Sequence, residues 1–280
     1  MRQIDFGQVA NSYACAREDI PVTLMDSLYL RNIFFEGKKV ADIGSGTGVL
    51  TRKVALRKAD VIGIEPSKEM LEQAKAFNLT KNFTIPYQLG SAEDTGLKDS
   101  QFDIVTVIRA WHWFDRPKAI QEMKRILKAK GTLIVIDSGF LSGTPAVEKT
   151  FAVLAKYVEG GLLPAGSKAE SQMRMNGFPV EWFAEWQTNG FELRDFYKLN
   201  YTVNFTKQEW IERMESISWL AGIDVNVRKA ALEELASSIP DQESFVIPHE
   251  CNVCILRIGD SSHDETTSPY EKDDQFESEA

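Results

Sequence analysis

The feature that most constrains the fold is a repeated change of period. Apolar runs of strand length (KKVADIG from Lys38, DVIGIEP from Asp60, FTIPYQLG from Phe83, FDIVTVIRA from Phe102 and GTLIVID from Gly131) alternate with segments whose apolar residues recur every three to four positions. Those segments are GVLTRKVALRKA from Gly48, SKEMLEQAKAF from Ser67 and PKAIQEMKRILKAKG from Pro117. Buried strands separated by amphipathic helices predict parallel strands joined by crossover helices, that is, a doubly wound α/β sheet. Ser67 is expected to cap the helix that follows it, and Gly131 to stop the helix before it. Two later runs, FELRDFYKLNYTVNF from Phe191 and SFVIPHECNVCILRIG from Ser244, read as a closing hairpin-like pair. They predict a seven-stranded sheet, Rossmann-like and mostly parallel with one antiparallel strand, with helices on both faces; periodicity does not supply the strand order.

The expected organisation is one domain over 1–258. It comprises an N-terminal helical lid over 1–37, a core over 38–139, and cap elements over 140–190 and 206–240. The segment 259–280 holds eight acidic residues and one lysine, so it carries −7 of the formal charge of −9 and leaves the body at −2. Such a tail is expected to be disordered and solvating. The near-neutral body argues against nucleic acid as a partner. No run approaches the roughly 18 apolar residues of a membrane span, and the N-terminus lacks a signal-peptide core, so the expectation is a cytoplasmic protein. Cys15, Cys251 and Cys254 are too few for a disulfide framework. HECNVC lies in a strand-like run, where residues three apart face opposite ways, so no metal site is expected.

The chemistry concentrates at ADIGSGTG, Ala41 to Gly48. An apolar strand breaks into Gly44, Gly46 and Gly48, where a backbone without Cβ atoms lets a ligand approach and the next helix N-terminus offers its amides. A dinucleotide fingerprint needs a further glycine where Val49 stands, so the spacing departs from the nicotinamide pattern. Glu65, 19 residues after Gly46, ends the second strand-like run. A carboxylate there suits the two ribose hydroxyls of an adenosine and names the nucleoside rather than the reaction.

Two further stretches, the small-acidic turn Ser91-Ala92-Glu93-Asp94 and the run FDIVTVIRAWHWFD, complete an ordered set of motifs. From about Asn11 to Leu141 the chain resembles the class I S-adenosylmethionine-dependent methyltransferases, in particular a small-molecule branch of the methyltransferase type 11 kind whose fourth strand ends in a His-Trp-Phe element. The resemblance implies S-adenosyl-L-methionine as cofactor. It counts Asp42, before the turn, among the cofactor-binding residues and places Gly44, Ser45 and Gly46 at the methionine part, Glu65 on the ribose, Pro66 and Met70 beside the adenine, and Ala92 and Glu93 at the ring edge. It also sets Arg109 and Ala110 near the sulfonium, and Tyr13 and Arg17 on the cofactor's carboxylate.

A sulfonium methyl is already activated, so transfer mainly needs an acceptor lone pair held in line in a dry pocket. His112 is the candidate for deprotonating or hydrogen-bonding the acceptor, against a packing role between Trp111 and Trp113. Trp113, Trp182 and Trp186 are candidates for the acceptor wall, against the plainer reading of aromatic core, and Trp210 and Trp219 for a cover above the glycine turn. Lys168 and Arg174 are weighed as counter-charges for an acidic substrate against a solvated surface. The resulting expectation is a methyltransferase acting on a small-molecule acceptor, favouring a carboxylate or hydroxyl oxygen. A nicotinamide oxidoreductase, a binding protein without turnover and methylation of a macromolecule compete with it.

Overall fold

The computed structural model describes residues 19–241 and 244–259. Helix α1 (Leu24–Tyr29) precedes β1 (Lys39–Ile43), α2 (Val49–Ala55), β2 (Asp60–Glu65), α3 (Lys68–Thr80), β3 (Tyr87–Leu89), β4 (Phe102–Ile108), α4 (Arg116–Ile126) and β5 (Leu127–Phe140). Then come α5 (Pro145–Leu154), β6 (Arg174–Met175), β7 (Phe178–Pro179), α6 (Val180–Thr188), β8 (Phe191–Phe205), α7 (Lys207–Glu215), α8 (Ser218–Ala221), α9 (Val225–Ser238) and β9 (Phe245–Ile258). The main sheet has seven strands in the order β3-β2-β1-β4-β5-β9-β8. The first five are mutually parallel, and β9 runs antiparallel to both β5 and β8. The expected Rossmann-like class holds, with the single antiparallel strand where the closing pair returns.

Strands covered on both faces should read as continuous apolar runs, and β1 does: every residue after Lys39 is buried. Ser67 caps α3 as expected, its hydroxyl accepting the Met70 N–H. Gly131 does not stop a helix. α4 ends at Ile126 and the chain passes directly into β5, where Gly131 follows Lys130 at φ +62° and sits in a register break between the Phe102 and Ile104 pairs. A Cβ on Gly131 would lie 2.8 Å from the Lys128 carbonyl and 2.9 Å from Leu127, so the residue serves a bulge in the strand. The small β6–β7 hairpin has no counterpart in the sequence reading.

Two apolar clusters cover the sheet, one per face. Cys254 belongs to one and Cys251 to the other, as strand alternation requires. Among the described residues no group of three or more His, Cys, Asp or Glu is placed to hold a metal ion, and no helix is long and apolar enough to cross a membrane. A third cluster joins α5, α7, α8 and α9 to the far ends of β8 and β9, with Trp210 at its centre. These strands continue past the rest of the sheet, pairing from Phe191–Ile258 to Phe205–Phe245, so the cap stands at the carboxyl-end side of the parallel strands.

Candidate functional site

The strand order reverses at β1, between β2 on one side and β4 on the other, and the crevice at the carboxyl ends of such strands is where doubly wound folds take ligands. Gly44 turns out of β1 at φ +67°, and a Cβ there would stand 2.7 Å from the Cβ of Ala110. A Cβ on Gly48, at φ +80°, would collide outright with the Tyr87 hydroxyl. The turn is drawn tight against β4 and β3, and only glycine fits both the backbone and the space.

Asp42 lies fully buried below this turn, accepting from the Thr51 hydroxyl at 2.6 Å and the Thr106 hydroxyl at 2.8 Å. Burial pushes its pKa up to about 6, against the opposing pull of those hydroxyls. Glu65 Oε2 accepts the Gly46 N–H at 2.9 Å, and Oε1 accepts the Ser67 N–H at 3.1 Å. Burial raises its pKa while the two backbone donors hold it down in part. A carboxylate has about four lone-pair directions, so Glu65 can brace the turn and still accept from a ligand.

Gly44, Gly46, Glu65, Pro66, Met70, Ala92, Glu93, Arg109, Ala110, His112 and Trp113 all line one cavity of about 1440 Å³. Glu93 also fixes the loop after β3, accepting the Asp115 N–H at 2.7 Å. Four of the expected residues stand elsewhere. Asp42 and Ser45 are buried beneath the turn and do not border the cavity; Asp42 ties β1 to α2 and β4. Trp182 and Trp186 are not an acceptor wall: both lie on the sheet-facing side of α6, in the core cluster with Trp111 and Phe178, because the apolar stripe of that helix covers the sheet. Trp219 does line the cavity, whereas Trp210 is enclosed in the cap and donates to the Thr150 hydroxyl. Tyr13 and Arg17 lie outside the described residues, as do Cys15 and the acidic segment from residue 260.

The far wall is built from side chains that the sequence did not single out together. His112 sits buried in the short 3-10 turn Trp111–Trp113, its ring 4.9 Å from that of Trp113. The cap reaches it through the 3-10 turn Gly166–Glu170, packed so closely that a Cβ on Gly166 would collide with the His112 carbonyl oxygen. Lys168 of this turn forms an ion pair with Asp137 of β5, and both line the cavity. Burial alone would raise the Asp137 pKa, but the charges of Lys168, His112 and Arg109 outweigh it and hold the carboxyl below its usual range. Arg174 is exposed and donates to the Lys168 carbonyl. Arg109, at φ +54° just past β4, pairs with Asp19 at 2.6 Å and donates to the Ser138 hydroxyl at 2.8 Å. Arg213 of α7 reaches the other oxygen of Asp19 at 3.1 Å, and His249 stands 3.7 Å from the same oxygen, its pKa lowered by burial to about 4. Asp137 had a legible signal, being an acid that ends an apolar run as Glu65 does. Asp19 and Arg213 had none, since only the fold brings Arg213 to the cavity and seats Asp19 behind it.

Residues 41–135 match the family model described as a methyltransferase domain. This core is similar to a methyltransferase domain. An uncharacterized methyltransferase of Mycobacterium tuberculosis is 35% identical over 130 residues, 46% of this chain and 50% of that protein, so the chain spans about half the length of that relative. An uncharacterized methyltransferase of Schizosaccharomyces pombe is 28% identical over 245 residues, covering 84% of this chain and 90% of its own. The fold matches the crystal structure of an S-adenosylmethionine-dependent methyltransferase from Aquifex aeolicus at a TM-score of 0.53 and 15% identity, over 91% of this chain and all of that one. Within this core, the glycine turn, Glu65 and the Ser91–Glu93 loop contribute one end of the cavity, and the end of β4 leads to the other.

Proposed function

We propose that the protein transfers the methyl group of S-adenosyl-L-methionine to an oxygen, carboxylate or hydroxyl, of a small-molecule acceptor. The observation that carries this reading is the shared cavity: the glycine turn, whose path leaves no room for a Cβ at Gly44, and the buried Glu65 carboxylate open onto the same space as His112 and the cap. The chain's residues fit the cofactor. Glu65 would accept the ribose hydroxyls, Pro66 and Met70 would flank the adenine, Ala92 and Glu93 would meet its edge, and Gly44 and Gly46 would leave space for the methionine part. Tyr13 and Arg17 belong to this proposal as holders of the cofactor's carboxylate. When bound, the cofactor supplies an activated methyl on sulfur.

The remaining work falls to positioning. A cavity of about 1440 Å³ exceeds the roughly 300–1,000 Å³ of a single small-ligand site, which leaves room for an acceptor beside a cofactor. Phe140 and Trp219 on the cap side would exclude water and lie against the acceptor's apolar body. His112 would take or share the proton of a hydroxyl acceptor; a carboxylate arrives ionised and needs only to be held. The positive charge of Arg109, which favours a protein that binds without turnover, is answered by Asp19 at 2.6 Å. We assign the work to one domain over residues 1–258 and to the cytoplasm.

The test is transfer from a methyl-labelled donor to a panel of carboxylic acids, phenols and amines. Label is expected in oxygen acceptors, released by mild base where the product is an ester, and lost with Glu65→Ala. Label confined to amines would overturn the oxygen assignment.

A further inference from the structure

Lys168, in the cap's 3-10 turn, and Asp137, at the carboxyl end of β5, form an ion pair, and both side chains line the cavity. We propose that this pair sets acceptor specificity by holding a second, non-reacting hydroxyl of the methyl acceptor, beside the oxygen that is methylated. That hydroxyl donates to the Asp137 carboxylate and accepts from the Lys168 ammonium. The proposal rests on the reading of the cavity as a methyl-acceptor pocket.

The fold brings the pair to His112. Ile136 pairs with Ile108 in the ladder between β4 and β5, and its carbonyl accepts the Arg109 N–H at 2.9 Å, so Asp137 stands level with the chain that leaves β4 for the turn Trp111–Trp113. From the cap, Gly166 packs on the His112 carbonyl, and Arg174 holds the carbonyl of Lys168 two residues on. Against the burial of Asp137, the charges of Lys168 and then His112 pull hardest on its carboxyl, which sets all three side chains at one end of the cavity. Charged side chains of both signs line the cavity, so sign alone does not sort its ligands. Several are committed to the protein: Arg116 forks onto Glu185, and Glu93 takes the Asp115 N–H. Among the described residues, Lys168 with Asp137 is the ion pair that has both members on the cavity wall. An ammonium offers three protons and a carboxylate about four lone-pair directions, and the bond between them uses one of each. Their side chains are only 14% and 18% exposed. An ion pair drawn this far out of water adds little stability over an apolar pair of the same size, so stability does not account for its place on the wall. A donor and an acceptor presented together to a ligand do. A second carboxylate would gain Lys168 but meet Asp137, and an amine would gain Asp137 but meet Lys168; an uncharged hydroxyl suits both. Phe140 and Trp219 line the same cavity and give the ring that carries the hydroxyls an aromatic wall.

The experiment titrates the full chain, saturated with S-adenosylhomocysteine, with 2-(hydroxymethyl)phenol, with 2-methylphenol, which lacks only the second hydroxyl, and with salicylate, which carries a carboxylate in its place. 2-(Hydroxymethyl)phenol is expected to bind roughly tenfold more tightly than either, the value of a hydrogen bond to a charged group. The charge-neutral pair Lys168→Met with Asp137→Leu should erase the difference between the two phenols while leaving the affinities for 2-methylphenol and S-adenosylhomocysteine unchanged. Lys168→Gln, which keeps a donor without the charge, should retain part of the preference. Equal affinity for the two phenols in the native chain, tighter binding of salicylate, or a preference that survives the double substitution would overturn the proposal and leave the cofactor reading in place. A preference for the second hydroxyl in a protein that fails to bind S-adenosylhomocysteine would support the role of the ion pair and remove the cofactor assignment.

Discussion

Replacing Asp42 by Asn should stabilise the protein above neutral pH, with a gain that fades as the pH falls toward the ordinary carboxylate range. The native carboxyl titrates at about 6 instead of 3.8, because it is wholly buried. At 1.36 kcal/mol per unit, the ionised form costs about 3 kcal/mol of folding stability at pH 8, as an upper value. Between pH 4 and 6 the native state binds more protons than the unfolded chain, so this group makes stability fall as pH rises through that window. Asn keeps the shape, and the Thr51 and Thr106 hydroxyls can each rotate to donate or accept, so both side-chain contacts survive. Urea unfolding of both proteins should show a gain of about 2 to 3 kcal/mol at pH 8, about half of that at pH 5, and about a fifth of it at pH 4. A variant less stable than wild type at pH 8, or a gain that is undiminished at pH 4, would refute the argument that burial dominates at Asp42.

Gly44→Ala should lose roughly 2 to 4 kcal/mol of stability, from a left-handed backbone and a Cβ forced against Ala110; denaturant unfolding measures it, and a neutral result would mean that the turn is looser than its geometry. Glu65→Ala should weaken S-adenosylhomocysteine binding roughly ten- to hundredfold, the value of about 1.5 to 3 kcal/mol for a charged acceptor; unchanged affinity in the folded variant would remove the ribose assignment. His112→Ala should lower turnover on a hydroxyl acceptor with little change in cofactor affinity, whereas an unaltered rate over the whole pH range would leave His112 a packing role.

Much of the core was legible because its signals are local. The switch from a period of two or continuous burial to 3.6 marks β1 to β5 and their helices, and the breaks at Gly44 and Glu65 mark the carboxyl ends at the switch point. Gly131 misled because a glycine after a basic helical run looks the same whether it ends a helix or relieves a strand bulge. Trp182 and Trp186 were drawn toward the pocket by composition, whereas the spacing i, i+4 on α6 puts them on one buried face. Asp19, Lys168 and Arg213 are far apart in sequence and acquire meaning only when the cap closes on β4 and β5. Ion pairs across segments separated by 90 and 194 positions leave no periodic trace.

The central claim is that the glycine turn and Glu65 hold S-adenosylmethionine, and calorimetric titration of the full chain with S-adenosylhomocysteine, with NADH as the control, tests it most directly. One site of micromolar affinity for S-adenosylhomocysteine and no heat with NADH is the expected result. Binding of NADH alone would contradict the claim, and the methyl-transfer reading would fall with it.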